Sequence, residues 1–155
     1  MNLAQLLNAE QIVPEMQSTE HLPAIQELVD HLETKDLLKD VNKSDVLEQL
    51  YRREEQTSTG IGSGVAIPHT FVENLPEVVA VFGRSKAGID FGALDNAPVH
   101  FVVLFIVPQE QYHMHLKTLA AIAKMFSGSQ IRNLLAEASS ADEILEILSR
   151  RPARG

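Results

Sequence analysis

His69 follows a proline at the end of a short apolar run, and Gly60, Gly62 and Gly64 stand just before that run, in TSTGIGSGVAIPHT at residues 57–70. Val65, Ala66 and Ile67 read as a short buried strand. Pro68 lacks a backbone donor and restricts the residue before it, so that strand stops there and leaves His69 at its end on a stiff approach. Glycines bare backbone amides to an approaching anion. An imidazole is nucleophilic near neutral pH and can be oriented through its second nitrogen, so a fixed histidine beside free amides suits a transient phosphohistidine. The plainer reading is a glycine-rich turn carrying a solvent-facing histidine.

Two further groups could share that chemistry. HMH at residues 113–115 opens a helical pattern. Histidines two apart do not lie on one helical face, so His115, one turn before Leu119, points with the buried face, while His113 caps the helix or faces solvent. A polar helix start would account for both. Arg53, in RREEQTST, could present a planar fork to a phosphoryl group or could pair with Glu48, Glu54 or Glu55 along a helix. A metal site would have to draw on His69, His100, His113 or His115 with an acid such as Asp95, and no ligand spacing of the HExxH kind is present.

The elements that must position these groups alternate between helix and strand. A short helix is expected at residues 2–7 and an edge strand at 12–16, where Pro14 lacks a ladder donor. Ser18 or Thr19 would cap a helix with Leu22, Ile25, Leu28, Val29 and Leu32 on one stripe and Pro23 in its first turn. A second helix starts near residues 42–44, turns Val46, Leu47, Leu50 and Tyr51 inward and runs into the glycine loop. A valine-rich strand follows at 77–84 and a nearly unbroken apolar one at 99–107, which reads as a central strand covered on both faces and ended by Pro108. Gly88, Gly92, Asp95, Asn96 and Pro98 give turn chemistry between them. Helices are expected at 113–126, with Leu116, Leu119, Ala120, Ala123 and Met125 or Phe126 buried, and at 131–136. Ser140 and Glu143 have capping-box spacing before a last helix with Ile144, Leu145, Ile147 and Leu148 inward. The tail RRPARG is expected to fray.

Composition sets outer limits. With 155 residues and 45% hydrophobic content, one domain spanning residues 1–155 is expected. The net charge of −8 and pI near 5.2 argue against nucleic acid or an anionic membrane as partner. There is no cysteine, which excludes disulfides, thiolate metal sites and cysteine catalysis. The start MNLAQLLNAEQ has no leader pattern and no apolar run reaches membrane-spanning length, so a cytoplasmic location is expected.

The segments RREEQTSTGIGSGVAIPHT, FGALDNAPVHFVVLFIVP and HLKTLAAIAKMF, in this order, resemble the EIIA domain of the mannitol and fructose class of the bacterial phosphoenolpyruvate-dependent phosphotransferase system. Within it the chain is most similar to the free-standing nitrogen-regulatory EIIA proteins, over residues 3–149. The resemblance implies an α/β fold, a mixed β-sheet flanked by helices on both faces. It also implies that His69 accepts a phosphoryl group from phospho-HPr or a nitrogen-branch homologue, that His115 supports the site and that Arg53 helps hold the phosphoryl group. Gly62, Ser63 and Gly64 would offer amides or a hydroxyl, and no metal or organic cofactor is required. Attack would come from His69 Nε2, with Nδ1 held by a backbone carbonyl. An EIIB domain or a regulatory protein would be the downstream partner, a regulatory output being favoured because no EIIB, EIIC or HPr segment accompanies the domain. Two positions depart from the family pattern. Thr70 stands where glycine, alanine or cysteine is usual and could crowd the rim, and Ser63 stands where asparagine or aspartate is frequent. Beside the carrier reading stand a docking module that transfers little phosphate, which Thr70 keeps open, and a metal-dependent hydrolase, which the missing ligand spacing disfavours.

Overall fold

The computed structural model describes residues 3–39, 41–56, 58–93 and 95–150; residue 2 of the expected first helix and residues 151–155 of the tail lie outside the described residues. A 3₁₀ turn at Leu3–Leu6 and another at Ala9–Gln11 lead into β1 (Ile12–Val13), α1 (His21–Thr34) and α2 (Lys43–Gln56). Then come β2 (Gly60–Gly62), β3 (Val65–Ala66), β4 (His69–Val72), β5 (Val79–Ile89) and β6 (Val99–Pro108), followed by α3 (Tyr112–Phe126), α4 (Ser129–Glu137) and α5 (Ala141–Ser149).

β6 explains why the apolar run is continuous. The sheet order is β1-β5-β6-β3-β2, with β4 also paired to β6, so β6 is central. Phe101, Val103, Phe105 and Val107 pack on one side with Ile122 and Phe126 of α3, Leu135 of α4 and Ile144 and Leu148 of α5. Val102, Leu104 and Ile106 pack on the other with Ile25, Leu28 and Leu32 of α1 and Val46 and Leu50 of α2. Each such side chain contributes roughly 1.5–3 kcal/mol by leaving water. This is the expected mixed sheet with helices on both faces.

The segment after the glycines holds a strand the sequence does not announce. β3 and β4 run along the same edge of β6, both parallel to it, with Val65 opposite Phe101 and His69 opposite Phe105. Pro68 breaks this edge because it has no N–H to give the ladder. Ile67 turns its own N–H to the Thr59 carbonyl (3.0 Å), Pro68 still accepts from the Phe105 amide (3.0 Å), and the chain resumes as β4. His69 therefore begins a strand as well as following one.

Other expectations shift for local reasons. α1 begins at His21, and neither Ser18 nor Thr19 caps it; the Ser18 and Gln17 amides instead donate to the Glu27 carboxylate, while the Thr19 carbonyl accepts from Asp90. The edge strand is only Ile12–Val13. β5 runs past Arg84 to Ile89, and Gly88, expected in a turn, lies inside it at a register shift with φ +94°. A Cβ at Gly88 would come 2.9 Å from the Cβ of Pro98, so both backbone and space favour glycine there. On α3 the buried stripe is His115, Ile122 and Phe126, with Leu119, Ala123 and Met125 half-buried; Leu116 is 46% exposed and Ala120 is exposed. A polar residue holds a core position, which is why a search for apolar spacing settles one residue too late. At α5, Ser140 caps the Glu143 amide as expected, but the Glu143 carboxylate returns to Ser139 N and Oγ.

Candidate active site

The break at Pro68 orients His69. Its Nδ1 lies 2.8 Å from the Ile67 carbonyl, a bond in which Nδ1–H donates, so Nε2 is left unprotonated. The ring is half-buried, 5.6 Å between centroids from His115 and 5.9 Å from Phe71. Burial holds its pKa below 6.5, the bond to Ile67 opposes this, and the charge of Arg53 lowers it further. A pocket of about 620 Å³ opens beside it, lined also by Arg53, Ser58, Thr59, Ile61 and Leu119.

His115 is 3% exposed, and its Nε2 has no hydrogen-bond partner among the described residues. Its ring packs edge-on against Phe105 at 4.9 Å and Phe71 at 5.7 Å. Burial, then the neighbouring His69 and Arg53, push its pKa down to about 4, so it stays neutral at pH 7. A buried polar atom without a partner costs roughly 1–3 kcal/mol, which a ligand atom arriving beside it would recover. Arg53 makes no ion pair among the described residues; its neighbour Arg52 takes Glu48 at 2.5 Å. The guanidinium of Arg53 stands 5.5 Å over the Phe71 ring, an attraction that holds its fork near both histidines. His113 is exposed, its ring against Tyr112.

Gly62, Ser63 and Gly64 are not brought to His69. They form the tip of the β2–β3 hairpin, with φ +91° and +79° at the two glycines and +57° at Ser63. The Gly64 carbonyl accepts from the amides of His100 and Phe101, four to five residues before Phe105 along β6. At roughly 3.3 Å per strand residue that is about 13 Å or more away. The Ser63 amide is instead taken by Asp95 Oδ2 at 3.0 Å. The parts of the loop that do reach the site are Ser58, Thr59 and Ile61. His100, named for a metal, sits at this far end with Nδ1 2.8 Å from the Ser85 carbonyl.

Glu54, which the sequence offers as a helical ion-pair partner for Arg53, is tied to the site instead. Glu54 is 6% exposed and accepts from both Thr59 N (3.2 Å) and Thr59 Oγ1. Thr59 in turn accepts from Ile67, and Ile67 from His69, so a chain of hydrogen bonds ties a buried carboxylate to the His69 ring. Burial raises its pKa, although the bonds from Thr59 oppose this. The available signal was a carboxylate five residues before a threonine at a helix end. Glu54→Ala should cost about 1–3 kcal/mol in a urea unfolding series, because Thr59 loses the acceptor of two donors.

Thr70 does not crowd the rim. Alternation along β4 sends it to the opposite face, where it is 4% exposed and its Oγ1 donates to Gln49 Oε1 at 2.8 Å. Thr70→Val should cost about 1 kcal/mol of stability and leave phosphoryl acceptance unchanged; a change in acceptance larger than that in unfolding free energy would place Thr70 at the site after all.

The family model described as "phosphoenolpyruvate-dependent sugar phosphotransferase system, EIIA 2" matches residues 5–151. The chain belongs to this family. It is 33% identical to a nitrogen regulatory protein of Bradyrhizobium diazoefficiens over 99% of this chain and 98% of that one. It is 34% identical to the fructose-specific EIIABC component of Bacillus subtilis, of which it spans 23% while 96% of this chain is matched. Among solved structures, nitrogen regulatory protein IIA-Ntr of Neisseria meningitidis matches with a TM-score of 0.86 at 32% identity, covering 95% of this chain and 99% of that one. Mannitol IIA of Escherichia coli shares the EIIA fold, with a TM-score of 0.77 at 22% identity and coverage of 92% and 99%. No helix among the described residues is long and apolar enough to cross a membrane.

Proposed function

We propose that this EIIA chain is a phosphohistidine carrier that takes a phosphoryl group from phospho-HPr or a nitrogen-branch homologue on His69. The observation that carries this is the pairing of an oriented His69, Nδ1 on Ile67 and Nε2 free, with a buried His115 Nε2 unpartnered among the described residues, while Arg53 stands over the adjoining Phe71. In an in-line step His69 Nε2 forms a bond to phosphorus as the P–N bond to the donor's histidine breaks. The electron pair returns to the donor ring. Because Nε2 carries no proton, none must leave before attack, and Nδ1–H stays on Ile67 throughout. Arg53 offers donors to the equatorial oxygens, and His115 supplies a further N–H donor. Positioning and charge do the work, as in other phosphoryl transfers.

A regulatory output is favoured by the likeness to nitrogen regulatory proteins along nearly their whole length. Passage to an EIIB domain is the second reading; a structure with 20% identity to this chain is a complex of mannitol IIA with phosphorylated IIB. Phosphorylation adds about −1.5 to −2 charges to a protein already at −8, so a partner docking around His69 would distinguish the two forms. Thr70, which kept a non-transferring module open, points away from the site. The test is intact mass after incubation with phosphoenolpyruvate, Enzyme I and HPr. A single acid-labile adduct is expected. No adduct, with the donors active on another acceptor, would overturn the carrier reading.

A further inference from the structure

We infer that a basic pocket between α4, the β5 bulge and the start of β6 binds the phosphate group of a small phosphorylated metabolite, at a site separate from His69. In a chain of net charge −8, the wall of this pocket carries Arg84, Lys86 and Arg132 and, among the described residues, no carboxylate, and its volume is about 390 Å³. Arg84 is 2% exposed. Its Nε donates to the Pro14 carbonyl at 3.0 Å and its Nη1 to the carbonyls of Leu135 and Ala138, while Nη2 has no protein acceptor among the described residues. A guanidinium buried against carbonyl dipoles alone lacks a counter-charge in contact with it, and such a charge is costly to leave uncompensated.

The acids around it are otherwise engaged. Glu143 of α5 feels the charge of Arg84, but its carboxylate is held by Ser139 N and Oγ at 3.0 and 2.7 Å. Asp95 accepts from Ser63 N and Ala97 N. Glu15 reaches Lys86 only at 4.0 Å, with both side chains largely exposed, a pair that water and salt screen. Arg132 is fixed by one donor on the Phe126 carbonyl, and Ser63, Asn133 and His100 supply polar atoms around the opening. Two arginines with a lysine at the mouth match the charge and the several oxygens of a phosphate better than those of a single carboxylate. Ser63 of the hairpin tip lines this pocket, and with its amide held by Asp95 it has only its hydroxyl to offer an anion here.

The experiment follows amide NMR shifts while inorganic phosphate replaces chloride at constant ionic strength. Saturable shifts at Ser63, Ser85, Lys86 and Asn133 are expected, with the dissociation constant weakened about fivefold or more in Lys86→Ala and in Arg132→Ala. Lys86 is exposed, so its variant folds; Arg84 is left in place because its removal would leave the Leu135 and Ala138 carbonyls at the end of α4 without their donor. Four outcomes would overturn the site: shifts linear in phosphate, saturation unchanged in both variants, saturation by succinate but not phosphate, or saturable shifts centred on Ile61 and His69. Loss of transfer in the carrier test leaves this result untouched, so the two readings fail separately.

Discussion

Replacing His69 by glutamine will abolish phosphoryl acceptance from phospho-HPr while leaving the fold intact, and replacement by alanine will do the same. Glutamine can still donate to the Ile67 carbonyl that His69 Nδ1 now contacts at 2.8 Å, so the local backbone keeps its partner and only the nucleophilic nitrogen is lost. A residual adduct in both variants would put the nucleophile elsewhere. The pH dependence follows from the same contacts. The attacking form is the neutral ring, and burial keeps the pKa below 6.5. The midpoint of the decline in acceptance should therefore lie below pH 6.5, where an ordinary histidine would have lost half its activity. A rate halved at pH 6.5, measured with donor in excess and its own titration subtracted, would show that the ring is solvated and not held as described.

What the residues disclosed in advance follows a physical pattern. β6 was legible because a strand covered on both faces must be apolar at every position, and α2 and α5 because stripe and cap agree. His69 was legible because proline forces a break that chemistry can use. β4 was not, because HTFV is short and its pairing to residues 105–108 is a long-range fact. The role of Gly62, Ser63 and Gly64 was misplaced for a related reason. Position along the chain put them near His69, whereas the parallel run beside β6 carries them to its other end. Glu54 reads from the sequence as a partner for Arg53 because its burial against Thr59, five residues on, depends on where the loop folds back, which spacing only hints at.

His115→Ala should slow acceptance on His69 by about 10²–10³-fold, the size expected for loss of one preorganised donor to a phosphoryl oxygen. The neutral ring already has one N–H to donate, and phosphorylation of His69 should add a second by raising the pKa of His115. In the free protein His115 titrates at about 4 and its Nε2 is neutral. A phosphoryl group on the ring 5.6 Å away brings about −1.5 to −2 charges. At roughly 5 Å and an effective dielectric near 20, each unit of charge is worth roughly 3 kcal/mol, or about two pK units. His115 is thereby carried to neutrality or above, and proton uptake locks the donor onto the group that called for it. Nitrogen chemical shifts of His115 at pH 7 should thus change from neutral to protonated when His69 is phosphorylated. The same depressed pKa has a cost in the unphosphorylated protein. The unfolded chain binds this proton from 6.5 downward and the folded one only near 4, so stability falls as pH drops through that window, by about 3 kcal/mol once below it. His115→Leu should flatten that part of the pH–stability curve and lose the rate as well. Were the rate lost but His115 neutral in the phosphorylated form, the histidine would act through its single N–H or by packing against Phe105 and Phe71, and the charge-triggered donor would be ruled out.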